Sequence, residues 1–363
     1  MSNKKTHISF LIGQLGTGGY EKQMTLLISK LNHAEYRISV FVWGNDEGFF
    51  RDELKSIGCE IISLEYLSIF EKLKFIRIKL SENDSAIIHN YSFFLNFITW
   101  LVSIGTSAEP IGAVRSNIKH EAKEMFWLMG KLNVFFPSVL IFNNYAAKNY
   151  AEESIFLPSK RSSLVIQNGI DLSLFPRAKY KSNDEIKLVS IGSLTPVKRH
   201  DWIINLGKRL KKDNIKFKID VIGDGPLFKS YKNQINHAKL ESLIMLHGNK
   251  KSIVRYLLDA DIFIHTSEVE GFPNSIMEAM AVGLPVVTTK VGDVNFLIED
   301  GNEGFAVPLD DFDEFYERLN YLIKNEAQRL RMGAAARNKI RKNYSDQLLV
   351  NKTTDLYKEL VRA

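Results

Sequence analysis

Cysteine is nearly absent from this 363-residue chain: Cys59 is the single one. That excludes a disulfide framework and a cysteine-built zinc site, and it suits a reducing compartment. Long apolar runs are absent too. A membrane span needs roughly 20 apolar residues, and the longest candidate, 91–104, is interrupted by Asn96 and reads as a buried helix. A secretory signal is not expected either, because Asn3-Lys4-Lys5-Thr6 is followed by only a short apolar-rich stretch before Gly13. The charge excess is small, +6 from 48 basic and 42 acidic side chains. Such a balance suits an anionic substrate or an anionic membrane surface but does not call for nucleic acid. Low-complexity tracts and internal repeats are lacking. The expectation is a soluble cytoplasmic protein, at most peripheral at the inner face of the plasma membrane.

What remains is ordinary globular usage, 45% hydrophobic and 25% charged, in a chain long enough for two domains. Short apolar runs alternate with helical periods. Strands are expected at 7–12, 38–43, 60–64, 86–89, 111–114, 139–142 and 164–167, with helical segments between most of them. The stretch 176–185 is polar and aperiodic, a linker. The pattern then restarts, with strands at 187–191, 218–222, 243–246, 262–265 and 285–288. Strand then helix, repeated, predicts parallel sheets with helices on both faces. The expected organisation is a first α/β domain over 1–175, a second over 176–345, and a C-terminal helix over 346–363 packing back toward the first. Ligands in such sheets bind at the carboxyl ends of the strands, so a cleft between the two domains is the expected site.

The strongest chemical signal is S-E-V-E-G-F-P-N-S-I-M-E-A-M at 267–280, directly after the strand expected at 262–265. Gly271 to Asn274 should turn and a helix should open at Ser275. A helix amino end at the end of a strand binds anions, because free N–H groups and the helix dipole both point at it. Glu278 falls about one turn into that helix and Glu270 on the loop before it. Carboxylates beside a phosphate site can accept hydrogen bonds from the hydroxyls of a sugar nucleotide. On spacing alone, a solvated loop glutamate and a helix-capping glutamate fit as well.

The segment resembles the E-x7-E signature of the retaining family 4 glycosyltransferases (glycosyl transferases group 1), which have the GT-B fold of two Rossmann-like domains. Four more stretches resemble that family in the same order: G-Q-L-G-T-G-G-Y-E at 13–21, V-I-Q-N-G-I-D at 165–171, I-G-S-L-T-P-V-K-R at 191–199 and V-I-G-D-G-P at 221–226. The resemblance spans nearly the whole chain. It implies transfer of a sugar from a nucleotide diphosphate donor, with a UDP-sugar favoured, to a hydroxyl of a glycan or lipid-linked acceptor in surface polysaccharide biosynthesis. By position, Glu278 matches the residue that binds the nucleotide ribose and Glu270 the one that contacts the donor sugar. Gly271, Phe272, Pro273, Asn274 and Ser275 match the backbone around sugar and phosphates. Lys198 matches the lysine on the diphosphate, where a fixed cation stabilises a leaving group gaining charge. Gly16, Gly18 and Gly19 match the first glycine-rich loop, which in the family faces the donor phosphates; its spacing is not the dinucleotide fingerprint G-x-G-x-x-G.

Two departures stand out. Ser193 occupies a place where the family usually has arginine, and Arg199 is the neighbouring cation that would compensate, so it joins Lys198 and Glu270 as a catalytic candidate. In the first domain Arg115 stands where many members carry histidine; with Asn117 and His120 it forms the expected acceptor side. No Ser/His/Asp or Cys/His set is evident. Asp259-Ala260-Asp261 has the letters of a metal-binding D-x-D pair but precedes a strand rather than following one, so no metal and no cofactor beyond the nucleotide-sugar co-substrate is expected. Asp310, Asp311 and Asp313 suit a helix amino end. In 68–80, Ile69, Leu73, Ile76 and Leu80 share one helical face flanked by Lys72, Lys74 and Lys79. Such a helix either packs on its own sheet or lies on an anionic leaflet. Two other functions stay open: a catalytically silent nucleotide-sugar-binding partner subunit and a GT-B nucleotide-sugar 2-epimerase.

Overall fold

The computed structural model describes residues 5–116, 130, 133–153, 162–178 and 184–362. It divides into two compact units, one of residues 1–169 with 346–363, the other of residues 170–345. Each is built on a parallel sheet.

The first sheet contains β1 (Thr6–Ile12), β2 (Tyr36–Val42), β3 (Glu60–Ser63), β4 (Ser85–Asn90), β5 (Glu109–Val114), β6 (Val139–Phe142) and β7 (Ser162–Val165), in the order β3-β2-β1-β4-β5-β6-β7. Parallel strands covered on both faces bury alternate side chains on opposite sides, which is why they read as continuous apolar runs. In β1, Ile8, Phe10 and Ile12 pack with Met24, Leu27 and Ile28 of the helix Gly19–Lys30, while Leu11 packs on the other face with Ile76, Leu80 and Val102. The terminal helix Asp346–Arg362 adds Leu349, Val350, Leu356 and Tyr357 to the first of these cores.

The second sheet contains β8 (Ile186–Ile191), β9 (Phe217–Ile222), β10 (Ile244–Leu246), β11 (Ile262–His265), β12 (Val286–Thr289) and β13 (Gly304–Val307), in the order β10-β9-β8-β11-β12-β13. Leu188, Ile219 and Ile264 pack with Trp202, Leu206 and Phe315 on one face; Val189, Phe263 and Val286 pack with Ile276, Met280 and Ile340 on the other. β13 has no counterpart among the expected strands. It is four residues long, begins with glycine and pairs β12 in register Val286 to Gly304 through Thr289 to Val307.

Two expectations are corrected here. Residues 170–175, expected in the first domain, belong to the second unit: Ile170 bridges Ser345, and Phe175 is buried in the core with Val189 and Phe263. The amphipathic segment is the helix Ile69–Glu82, begun by a capping box between Ser68 and Glu71; Leu73 packs on the core as expected, but the inward face departs from the expected one at Ile69 and Lys72. Ile76 and Leu80 are buried, whereas Ile69 is 61% exposed. Lys72 is buried instead, donating to the Trp43 carbonyl at 2.6 Å, with its ammonium 4.7 Å from the centre of the Trp43 ring. A lysine stem packs like an apolar chain when its head finds an acceptor.

Candidate active site

In the second sheet the strand order reverses between β8 and β11, the place where open α/β sheets bind ligands. Each of these strands sends one loop to that point. After β8 the chain runs through Gly192 and Ser193 into the 3-10 turn Pro196–Lys198. The G-D-G-P turn after β9 supports this loop from below. Leu194 N–H donates to the Asp224 carbonyl at 2.9 Å, Leu227 N–H donates to the Leu194 carbonyl at 3.0 Å, and a Cβ on Gly223 would lie 1.9 Å from the Gly192 carbonyl oxygen. The motif glycine is therefore needed for close backbone approach.

After β11 the loop 266–273 leads into the helix Asn274–Val282. The two loops are stitched together. Glu268 N–H donates to the Val197 carbonyl at 2.7 Å, and the Thr266 and Ser267 hydroxyls donate to the carbonyls of Lys198 at 2.9 Å and Val197 at 3.2 Å. This brings Lys198 and Glu270, 72 residues apart in sequence, into an ion pair at Glu270 Oε1. The same oxygen accepts from His265 Nε2 at 2.9 Å. Burial pushes the Glu270 carboxyl up, but the Lys198 ammonium and the His265 N–H outweigh it and hold it well below the usual carboxylate range. From behind, Asp293 N–H donates to the Gly271 carbonyl at 3.3 Å, and Gly292 lies against the Glu270 backbone.

The helix Asn274–Val282 starts one residue earlier than expected, with Pro273 at its N-cap and no side chain capping it. Gly271, Phe272 and Pro273 are buried on the way in, Asn274 and Ser275 are half-buried, and Glu278 is buried. A basic ammonium, a fixed carboxylate and an uncapped helix amino end thus converge within one unit. Together they can hold an anion and accept from hydroxyls beside it.

The family described as glycosyl transferases group 1 matches residues 174–339. That match covers under half of the chain. Among relatives, the putative colanic acid biosynthesis glycosyltransferase WcaL of Escherichia coli K12 is 28% identical over 206 residues, covering 54% of this chain and 51% of WcaL. The UDP-Gal:alpha-D-GlcNAc-diphosphoundecaprenol alpha-1,3-galactosyltransferase of Escherichia coli is 28% identical over 54% of each chain. The capsular polysaccharide biosynthesis glycosyltransferase CapH of Staphylococcus aureus is 23% identical over 81% of this chain and 85% of its own. The chain thus spans about half the length of the first of these relatives. Among solved structures, Anabaena HepE in complex with UDP-glucose superposes with a TM-score of 0.84 at 18% identity, over 97% of this chain and 99% of HepE. The fold is GT-B.

Within the matched residues, Arg199 does not join Lys198 at Glu270. Its backbone is left-handed, φ 50°, and its guanidinium is taken up by Glu268, by Asp310 at 3.1 Å and by Asp201 at 3.4 Å, 5.2 Å from the centre of the Trp202 ring. It does not compensate for Ser193, which is exposed and lies 3.4 Å from the Thr195 hydroxyl. Asp259 and Asp261 lie at the amino edge of the sheet, bound to the Lys187 ammonium at 2.7 Å and the Lys187 N–H at 2.8 Å. Asp311 caps the helix Phe312–Lys324, accepting from Glu314 N–H at 2.9 Å.

In the first unit, the glycine-rich loop follows β1 and Gly18 is the N-cap of the helix Gly19–Lys30. The carboxylate of Glu21 folds back over that end: a Cβ on Gly18 would meet its Oε2 at 2.2 Å, and Glu21 is fully buried. Burial pushes its carboxyl up. The Glu21 side chain thus lies against Gly16 and Gly18. Arg115 follows β5 with its guanidinium 4.0 Å above the centre of the Tyr91 ring, and its Nε and Nη1 are buried and have no hydrogen-bond partner among the described residues. Asn117 and His120 lie outside the described residues. His265 is the site residue that sequence reasoning missed.

Proposed function

We propose that this chain is a retaining glycosyltransferase that moves a hexose or N-acetylhexosamine from a nucleotide diphosphate sugar to a hydroxyl of a glycan or lipid-linked acceptor. The observation that carries the reading is the meeting of Lys198, Glu270 and the uncapped amino end of the helix Asn274–Val282 at the switch point of the second sheet. In this reading the diphosphate sits at the helix amino end against Lys198, Glu278 accepts from the ribose hydroxyls, and Glu270 accepts from the donor sugar. A UDP-sugar is the donor we favour, in line with HepE, whose structures hold UDP and UDP-glucose. Acceptor recognition falls to the first unit, where the Arg115 guanidinium at the carboxyl end of β5 suits a phosphate oxygen.

The bond from the anomeric carbon to the diphosphate oxygen breaks as the acceptor oxygen bonds the same face. The acceptor's proton passes to a donor phosphate oxygen, so no protein nucleophile is used. Lys198 stabilises the charge gained by the leaving diphosphate, the task a divalent metal performs elsewhere, so the proposed reaction is metal-independent. A panel of labelled nucleotide sugars tests this. One of them should be turned over in the presence of a chelator, and Lys198→Ala should lower kcat by about a hundredfold or more with the fold intact. Full turnover by both Lys198→Ala and Glu270→Ala would overturn the site. Ser193 leaves Lys198 without a second cation at Glu270's side from that loop, so tight donor binding without turnover on any acceptor would favour a catalytically silent binding subunit.

We also place the chain at an anionic membrane surface, through the outward face of the helix Ile69–Glu82. Phe70 is 85% and Tyr66 92% exposed, and Ile69, Lys74 and Arg77 are exposed beside them. Apolar side chains among basic ones match an anionic leaflet. The wild type should co-sediment with phosphatidylglycerol vesicles and not with phosphatidylcholine ones, and Phe70→Glu should abolish this; a wild type that stays in the supernatant with both overturns it.

A further inference from the structure

Glu270 has two donors on one oxygen, and one of them has a second task. If Lys198 binds the donor's diphosphate, as proposed above, it must leave Glu270 Oε1 at least in part. A buried carboxylate that loses its only partner is strongly destabilised. His265 prevents that. It ends β11, is 4% exposed, and its Nε2 lies 2.9 Å from the same Oε1. The ring is held from the other side: β11 and β12 pair with His265 opposite Thr288, and His265 Nδ1 lies 3.1 Å from Thr288 Oγ1. With Nε2–H given to Glu270, the Thr288 hydroxyl donates to Nδ1; the Thr289 carbonyl also lies 3.1 Å from that hydroxyl. The threonine fixes the imidazole and the imidazole fixes the carboxylate.

We propose that His265 is a positioning residue for the donor sugar: it anchors Glu270 through Oε1 while Lys198 is released to the diphosphate, so that the carboxylate keeps its place for a sugar hydroxyl. The inference rests on the donor-site reading above and deepens it. It makes the imidazole matter for the sugar rather than for the nucleotide.

The test is the affinity of the intact protein for UDP-glucose and for UDP, measured by titration calorimetry on wild type, His265→Leu, His265→Gln and Thr288→Val. His265→Leu should weaken UDP-glucose about tenfold, the worth of one charge-assisted hydrogen bond, and leave UDP within about twofold. His265→Gln, whose amide N–H replaces Nε2–H, should recover most of the UDP-glucose affinity. Thr288→Val, isosteric and remote from ligand, should reproduce a smaller loss in the same direction. Equal affinities in wild type and His265→Leu, equal losses of UDP and UDP-glucose, or failure of glutamine to rescue would each overturn the positioning role. A wild type that binds UDP but shows no added affinity for UDP-glucose would overturn it as well. Failure of the wild type to bind either ligand, or their GDP counterparts, would instead sink the donor-site reading on which it stands.

Discussion

His7 illustrates what burial does to a single side chain. It opens β1, is 3% exposed, and bonds Ser85 Oγ through Nδ1 at 2.7 Å. Burial, then the nearby Arg37 charge, lowers its pKa from 6.5 to about 4. The unfolded chain takes up a proton near pH 6.5, whereas the folded one does so only near 4. The stability tied to neutral His7 is therefore full above pH 6.5 and drains as pH falls toward 4, by up to about 3 kcal/mol. His7→Asn, which keeps a polar group near Nδ1 and cannot titrate, should lose less melting temperature than wild type between pH 7.5 and 4.5. Parallel losses would show that other groups govern the acid limb. At this same scale Glu270 and Glu278 were legible as candidates from the E-x7-E spacing, and Lys198 from the separate loop at 191–199. His265 was not: one histidine ending an apolar strand carries no local signal, and its role comes from Thr288 on the neighbouring strand.

Elements position these residues mainly through backbone contacts. The turn that presents Glu270 is backed by Gly292, at φ +52°, where a Cβ would come within 2.3 Å of the Glu270 carbonyl oxygen. Gly292→Ala should cost about 1–3 kcal/mol through strain and displacement and should weaken nucleotide-sugar binding as well. Gly301, at φ +77° with open space around it, is the control: alanine there should leave ligand binding unchanged. Thermal unfolding with and without ligand checks both, and equal behaviour of the two variants would remove Gly292 from the site's support. Most strands were legible as apolar runs because their sheets are covered on both faces. β13 was not, being short and led by glycine. The helix Ile69–Glu82 was legible with Leu73, Ile76 and Leu80 inward, but period alone does not tell that Lys72 finds the Trp43 carbonyl and goes in while Ile69 stays out.

Across the whole molecule the two units hold separate cores, and the chain returns to the first after completing the second. Tyr357 ties that return. It is 1% exposed, its hydroxyl lies 2.6 Å from His89 Nδ1, and its ring meets Tyr36 edge-on. Tyr357→Ala should cost the first unit about 3–5 kcal/mol and expose it to limited proteolysis, while nucleotide-sugar binding by the second unit persists. Loss of both together would show that the units do not behave independently.

By itself the sequence determined the kind of fold and pointed to the loop and helix of the candidate site. Apolar runs of strand length alternating with helical periods leave little but parallel α/β sheets, and the E-x7-E stretch names its own loop and helix. Tertiary structure alone decided which charges meet. Lys198 and Glu270 are joined because β8 and β11 are neighbours, whereas Arg199, one residue from Lys198, is drawn by a left-handed backbone to Glu268 and Asp310. Adjacency along a chain does not fix side-chain direction. Adjacency across a sheet does, because hydrogen-bonded strands hold their carboxyl-end loops a few ångströms apart.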